Sequence, residues 1–424
     1  MTTPEPRRAA ILFILFTVLL DVLALGLIIP VLPQLILDFR GGDTSEAAAT
    51  VGVFGTVWAL MQFAFSSMQG SLADRFGRRP VILLSNLGLG LDYLLMALAP
   101  SLGWLLVGRI VSGITAASFS TAGAYIADVT PPEKRAAAFG KIGAAFGVGF
   151  IVGPAIGGLL GGFDPRMPFW FAAVLSLANF AYGFFVLPES LPPERRTPFS
   201  WAKANPIGSL QLLRSRPGLM GLVSVAFFYH VAHSVYPSVF VLYAKHRYGW
   251  GERGVGLTLA VAGVCSAVVQ GGLVGVLVKR LGERRAMLLG LASGVVGMAA
   301  YGWAPTGPLF FVGIPIIALW GITNPSVQAL LTPRVGPTEQ GKLQGALSGV
   351  MSIAGIIGPL LFSHTFAYFL APDAPMSLPG APFFLASFFL GVSFIVAWLV
   401  TRGMAGAVLP VAARDATVSP PAHG

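Results

Sequence analysis

Three ionisable residues interrupt long apolar runs in this 424-residue chain. They are Asp21 in "LFTVLLDVLALGLIIP", Asp92 in "GLGLDYLLMALAP" and Arg109 in "LLVGRIVSGI". Of the 17 acidic residues only Asp21 and Asp92 lie inside an apolar run, and Arg109 is the one base that does. An ion held at mid-membrane costs roughly 2.5–3.5 kcal/mol on an insertion scale, so such residues mark ion pathways and proton relays by default. A turn centred between Pro100 and Ser101 puts Asp92 and Arg109 at equal distances along two antiparallel helices, about 13 Å from the turn at 1.5 Å rise per residue. Desolvation and a nearby guanidinium act on a carboxylate in opposite senses. A change in pairing therefore moves its proton affinity, as proton coupling requires. Asp21 is the second acid that can compete for Arg109; with both acids ionised the group carries −1, and one proton neutralises it. A purely structural ion pair is the alternative reading.

Softer signals follow in the second half. His230 and His233 face roughly the same side of a helix, just ahead of Tyr236 and Pro237. Metal ligation needs further ligands, and no metal is expected; cavity-lining histidines fit better. Asn324 and Gln328 stand one helical turn apart, and Gln62 lies in an earlier run. Each amide faces a substrate or bonds a neighbouring helix.

These residues need long apolar helices to position them. The chain is 55% hydrophobic and 10% charged, where a soluble protein carries about a quarter charged residues. Twelve segments reach spanning length: near 11–37, 48–73, 81–99, 102–127, 136–162, 166–187, 217–244, 254–278, 286–303, 307–331, 342–370 and 381–401. The first is too long for a cleaved signal peptide. The net charge of +10 does not indicate nucleic acid, because it is partitioned. One alternate set of connections holds 21 of the 27 Lys and Arg, the other holds five, and Arg109 lies inside a span. The positive-inside rule then puts both termini in the cytoplasm. The single Cys265 excludes a disulfide framework. With no Walker loop, ATP hydrolysis is not the energy source, and acids and histidines in different halves do not make an enzyme's constellation.

An offset of 205 residues relates the halves. Gly70, Leu72, Arg75, Gly77 and Arg79 recur as Gly275, Leu277, Arg280, Gly282 and Arg284; Pro132, Gly140, Gly153 and Pro154 recur as Pro337, Gly345, Gly358 and Pro359. The fold class is therefore an all-α integral membrane protein of twelve transmembrane helices in two six-helix bundles related by an internal repeat. Residues 1–187 form the first bundle, 188–216 a cytoplasmic linker, and 217–424 the second bundle with a short disordered tail. Such duplication puts a site between the halves at mid-membrane.

Two glycine-bearing stretches carry further detail. In "GSLADRFGRRP", Gly70 and Gly77 allow a tight turn while Arg75, Arg78 and Arg79 anchor it on the cytosolic side. Gly140, Gly143, Gly147, Pro154 and Gly158 share one face of the fifth span. Close helix packing in lipid explains them; a bend at Pro154 in a proton-tight junction explains them equally.

The loop resembles the signature of the major facilitator superfamily. "RIVSGITAA" is similar to that family's fourth-helix motif, departing at Ser112 and Thr115. Gly140, Gly149, Gly153, Pro154, Gly157 and Gly158 resemble its antiporter pattern, and "LPES" closes the sixth span as the family often does. The resemblance implies that Asp74 meets the start of the eleventh helix near Gly341 and that Arg78 pairs with Asp128. Both contacts would close the cytosolic side and break when it opens; anchoring alone is the other reading. "LIIPVLPQL", "LDYLLMALAP" and "EQGKLQGALSGVMSIAGIIGPLLF" narrow the resemblance to proton-coupled tetracycline efflux pumps. It implies a bacterial inner-membrane exporter of hydrophobic drugs, with the proton as coupling ion and no cofactor; the chain is expected to work as a monomer. A symporter or a non-transporting sensor on the same fold is the alternative. Those pumps carry an acid at the position of Gly294 and a histidine at that of Ser266. Magnesium enters only if the substrate is a chelated tetracycline.

Overall fold

A computed structural model describes residues 5–115, 118–199, 217–335 and 340–402. The rest of the linker, residues 200–216, and the tail beyond 402 lie outside the described residues. Among the described residues there is helix and no strand. Ten helical stretches are long and apolar enough to cross a bilayer. One, Glu252–Trp303, runs 52 residues, over twice the roughly 20 a span needs. It turns at Gly282 (φ 76°, ψ 160°) and supplies the eighth and ninth spans. The fourth span consists of Leu102–Thr115 and Ser118–Val129. The twelve spans are then complete. Leu84, Leu91 and Leu98 lie in one row along the third span, 67%, 53% and 63% exposed. A row so apolar and open needs lipid to cover it.

The repeat is visible in the backbone. Gly77 (φ 107°, ψ 162°) and Gly282 turn the second span into the third and the eighth into the ninth. The first span breaks between Glu5–Ile28 and Leu32–Phe39, the seventh between Pro217–His233 and Val235–Tyr248. The cause is the same in both. A helical proline lacks an N–H and its ring clashes with the carbonyl four residues back. Pro33 acts so on Ile29, and Pro237 on His233.

The halves meet along two seams, the second span (Thr44–Phe76) against the eleventh (Gln340–Leu370) and the fifth (Pro132–Gly161) against the eighth (Glu252–Val268). Each seam is tight at the end far from Gly77 and Gly282. A Cβ built on Gly52 would lie 3.0 Å from the Pro359 carbonyl oxygen, and one on Gly256 would lie 2.5 Å from that of Pro154. Toward the motif end contact stops: Gly140, Gly143, Gly147, Gly271, Gly272 and Gly275 have nothing within 4 Å of a built Cβ among the described residues. The seam between the fifth and eighth spans is thus shut at one end and open at the other.

At the open end Gly77 has a second function. Glu189, just past the sixth span (Met167–Val186), accepts hydrogen bonds from the backbone N–H of Arg78 (2.8 Å) and Arg79 (3.3 Å). It caps the third span (Arg78–Leu98), where a carboxylate also favours the helix dipole. A Cβ at Gly77 would meet Glu189 Oε2, whereas one at Gly282 meets nothing among the described residues. Both backbones lie where only glycine sits without strain of about 1–3 kcal/mol. Gly77→Ala is therefore expected to lower the thermal unfolding midpoint in detergent more than Gly282→Ala does. Equal losses would show that the Glu189 cap contributes nothing.

Candidate functional site

Asp92 lies on the third span and is 1% exposed. It beds on the fourth span at Gly108: a Cβ there would stand 2.7 Å from Asp92 Oδ1. Neither carboxylate oxygen has a hydrogen-bond partner within 3.5 Å; the Ser112 hydroxyl is the nearby group that can donate to it, and the Arg109 guanidinium is within electrostatic reach. Arg109 makes no direct ion pair with it. Equal depth in the hairpin does not by itself bring the two side chains into contact. Successive residues on a helix point about 100° apart, so with Gly108 against Asp92 the Arg109 side chain leaves toward the second span. Its guanidinium lies 5.3 Å from the Trp58 ring, a cation–π contact.

Asp21 is 3% exposed and accepts a hydrogen bond from Asn179 Nδ2 of the sixth span at 3.1 Å. Tyr93, 2% exposed, is within electrostatic reach of Asp21, Asp92 and Arg109 together. Sequence reading missed Asn179 and Tyr93. The signal was present, an amide and a phenol in apolar runs beside the acids, but nothing in the spacing tied them to one centre.

The open-end loop is a latch within the first half. Arg78 pairs with Asp74 at 2.6 Å and with Asp128 at 3.2 Å, and Ser190 also donates to Asp128. Arg79 donates to the Phe184 carbonyl at 2.6 Å, and Arg75 is exposed over Phe76. The Arg78–Asp128 pair is formed while the motif ends of the seams are apart. It is therefore not broken in the open arrangement, because both partners belong to the same half. The side chains at the start of the eleventh span, Gly341 included, lie outside the described residues. Gly70 lies inside the helix of the second span and not in the turn, which Gly77 alone makes, and it meets nothing within 4 Å among the described residues.

The fifth span shows two glycine faces. Gly149, Gly153 and Gly157 pack on Val22, Gly26 and Leu27 of the first span, while Pro154 and Gly158 meet Gly256 of the eighth. Gly140, which shares the second face, opens into the cleft. In the second half His230, His233 and Tyr236 gather with Tyr229 against Trp320 of the tenth span (Gly307–Ala318, continued by Leu319–Ile322 and Thr323–Leu331). Asn324 is exposed one turn further on, and Gln328 accepts from Gln344 at 3.2 Å. Gln62 sits partly exposed just past the contact of Ala59 with Gly355 on the first seam.

A two-bundle fold with inverted seams and buried ions in one half is the architecture of a known family. The Major Facilitator Superfamily profile matches residues 14–359. This chain belongs to the major facilitator superfamily. The class C tetracycline resistance protein of Escherichia coli is 40% identical over 358 residues, 84% of this chain and 90% of that one. The class G protein of Vibrio anguillarum is 37% identical, covering 85% and 91%. A solved structure of a bacterial homologue of the human lysosomal transporter Spinster superimposes with TM-score 0.76 at 16% identity, over 95% of this chain and 98% of that one. That likeness concerns the fold.

Asp92 is 1% exposed with Ser112 and Arg109 as polar neighbours, and its role is open to a direct test. Asp92→Asn is expected to abolish proton-driven transport in membrane vesicles while the protein still reaches the membrane, with Asp21→Asn and Arg109→Ala strongly impaired. Unchanged pH dependence and accumulation in Asp92→Asn would transfer the role to Asp21.

Proposed function

We propose that the chain is a proton-coupled exporter of drugs, tetracycline-like or otherwise hydrophobic, in the inner membrane of a bacterium, and that it works as a monomer. The observation that carries this reading is the seam geometry. The seam between the fifth and eighth spans is in contact at one end and open at the other, and the first half buries two acids within its spans. Relatives that are tetracycline resistance proteins support the direction and the class of cargo. The positive-inside rule puts the latch and the open end in the cytosol, so the conformation described is the one that loads drug. A proton entering along the potential supplies about 2.3 kcal/mol per 100 mV. A proton bound at Asp92 on the outer side and released on the inner side couples that energy to the rocking of the halves.

Closure has a readable register. Along the second seam Gly158 meets Gly256 and Ile151 meets Gly263, equal steps in opposite directions. Continued by one turn, Gly147 meets Ala267. In a Cys265→Ser background, Gly147→Cys with Ala267→Cys is expected to form a disulfide on oxidation and stop transport, with reductant restoring it. Energised inverted vesicles provide the direct test: proton-dependent uptake of drug supports the exporter. Gradient-independent behaviour toward a broad drug panel, or a cysteine pair that never closes, would overturn this reading.

A further inference from the structure

The second half offers the cleft no internal charge to match the first. Its acids Glu252 and Glu283 stand at helix ends, and Glu339, Asp373 and Asp415 lie in connections or in the tail. What it presents at mid-span is a wall of rings. Tyr229 and Trp320 have ring centroids 4.8 Å apart, His233 and Trp320 5.6 Å, and His233 and Tyr236 5.8 Å. The wall is braced from behind: Tyr236 abuts the buried Tyr301 edge-on, and Tyr301 stacks on Phe310 at 4.0 Å. It also opens to the cleft. His233 is exposed although its neighbours Val231, Ala232, Ser234 and Val235 are buried, and Asn324, one turn from Trp320, is exposed as well. Trp320 is 4% exposed, and its indole Nε1 has no hydrogen-bond partner.

Gly294 explains how Trp320 fits. A Cβ at Gly294 would stand 3.0 Å from Trp320 Cδ1 and 2.9 Å from Leu390 Cδ1. Any side chain at that position competes with the indole for space, and a carboxylate there would displace it. Divalent magnesium is held by oxygen ligands, carboxylates above all. The ring wall provides none. Aromatic rings prefer offset or edge contacts with another π-face at 4.5–7 Å, and within this cluster His233 is exposed while Tyr229 and Tyr236 are partly so.

On the exporter reading, we propose that Tyr229, His233, Tyr236 and Trp320 form the stacking half of the drug site. It takes the flat fused-ring face of a drug such as tetracycline without a bound metal ion, and Asn324 addresses the ring substituents. Charge on the drug is then met only across the cleft, by the first half.

The test is equilibrium binding of tetracycline to purified protein, in EDTA and in excess magnesium. Binding in EDTA is expected to equal or exceed that in magnesium. Trp320→Ala and Tyr229→Ala are expected to weaken it at least tenfold, and Trp320→Phe, which keeps a ring, about threefold. Asn324→Ala, at an exposed position where folding is insensitive, is expected to weaken it about threefold. Unfolding midpoints separate lost binding from lost fold in Trp320→Ala. Binding that requires magnesium, that is absent from both buffers, or that is unchanged in folded Trp320→Ala and Asn324→Ala overturns the inference. Proton-driven uptake of a drug panel in vesicles is read separately. Uptake that persists while the binding pattern fails leaves the exporter standing without this site; loss of both removes the exporter as well.

Discussion

The close approach of glycine to a proline carbonyl, made twice, is the contact on which the architecture depends. In lipid there is no hydrophobic drive to bring two helices together, since the tails are as apolar as leucine; association rests on packing, and small residues permit it. Gly52 against Pro359 and Gly256 against Pro154 bring backbone against backbone at the shut end. The prolines matter as much as the glycines. Pro154 and Pro359 are internal to their helices, where each removes a backbone hydrogen bond and bends the chain. A bent helix held to its neighbour at one end diverges at the other. The cleft is thus a consequence of the same residues that make the seam, and the two-fold repeat requires that both seams behave alike.

That dependence explains why the fifth span carries more glycine than one contact needs. Gly149, Gly153 and Gly157 fix it to the first span, so the fifth moves with its own half. The other face is in contact at Pro154 and Gly158 and open at Gly147, Gly143 and Gly140. On the proposed closure, the small residues along the open stretch would serve a contact absent from this conformation. The latch of Arg78, Asp74, Asp128 and Glu189 complements this arrangement from within the first half, tying the ends of the second, third, fourth and sixth spans together. A half that is to rock as one body must be rigid, and a carboxylate cap with charge-assisted hydrogen bonds is a strong way to fix helix ends.

Much of this was legible in the sequence, and the rest was not for a definite reason. Hydropathy read over twenty residues gives the number of spans and their order, and the 205-residue offset gives the pseudo-symmetry that the two glycine turns and the two broken helices display. Spacing also gives depth: Asp92 and Arg109 were read at one level from the turn between them. Spacing does not give azimuth. Whether the residue facing Asp92 is Gly108 or Arg109 is a matter of 100° of rotation about the fourth span, which no single-helix pattern encodes. The same limit hid Asn179 beside Asp21, and the indole of Trp320 filling the space beside Gly294. Such facts belong to pairs of helices and not to either one.

The two halves descend from one design and have diverged in chemistry. The first buries two acids and an arginine where each is costly; the second keeps its acids at the ends of its spans and places rings at mid-depth. The repeat mate of Asp92 is Gly297, which packs on Ile317, so the charge was not inherited by symmetry. Separating the functions in this way suits a coupled machine. A proton site needs a buried carboxylate whose surroundings change on rocking, and a drug site needs adaptable, weakly directional contact that many flat molecules can share. On the proposal made above, the ring cluster of the second half and Asp92 of the first belong to different halves, so a rocking of one half against the other would change the distance between drug and proton.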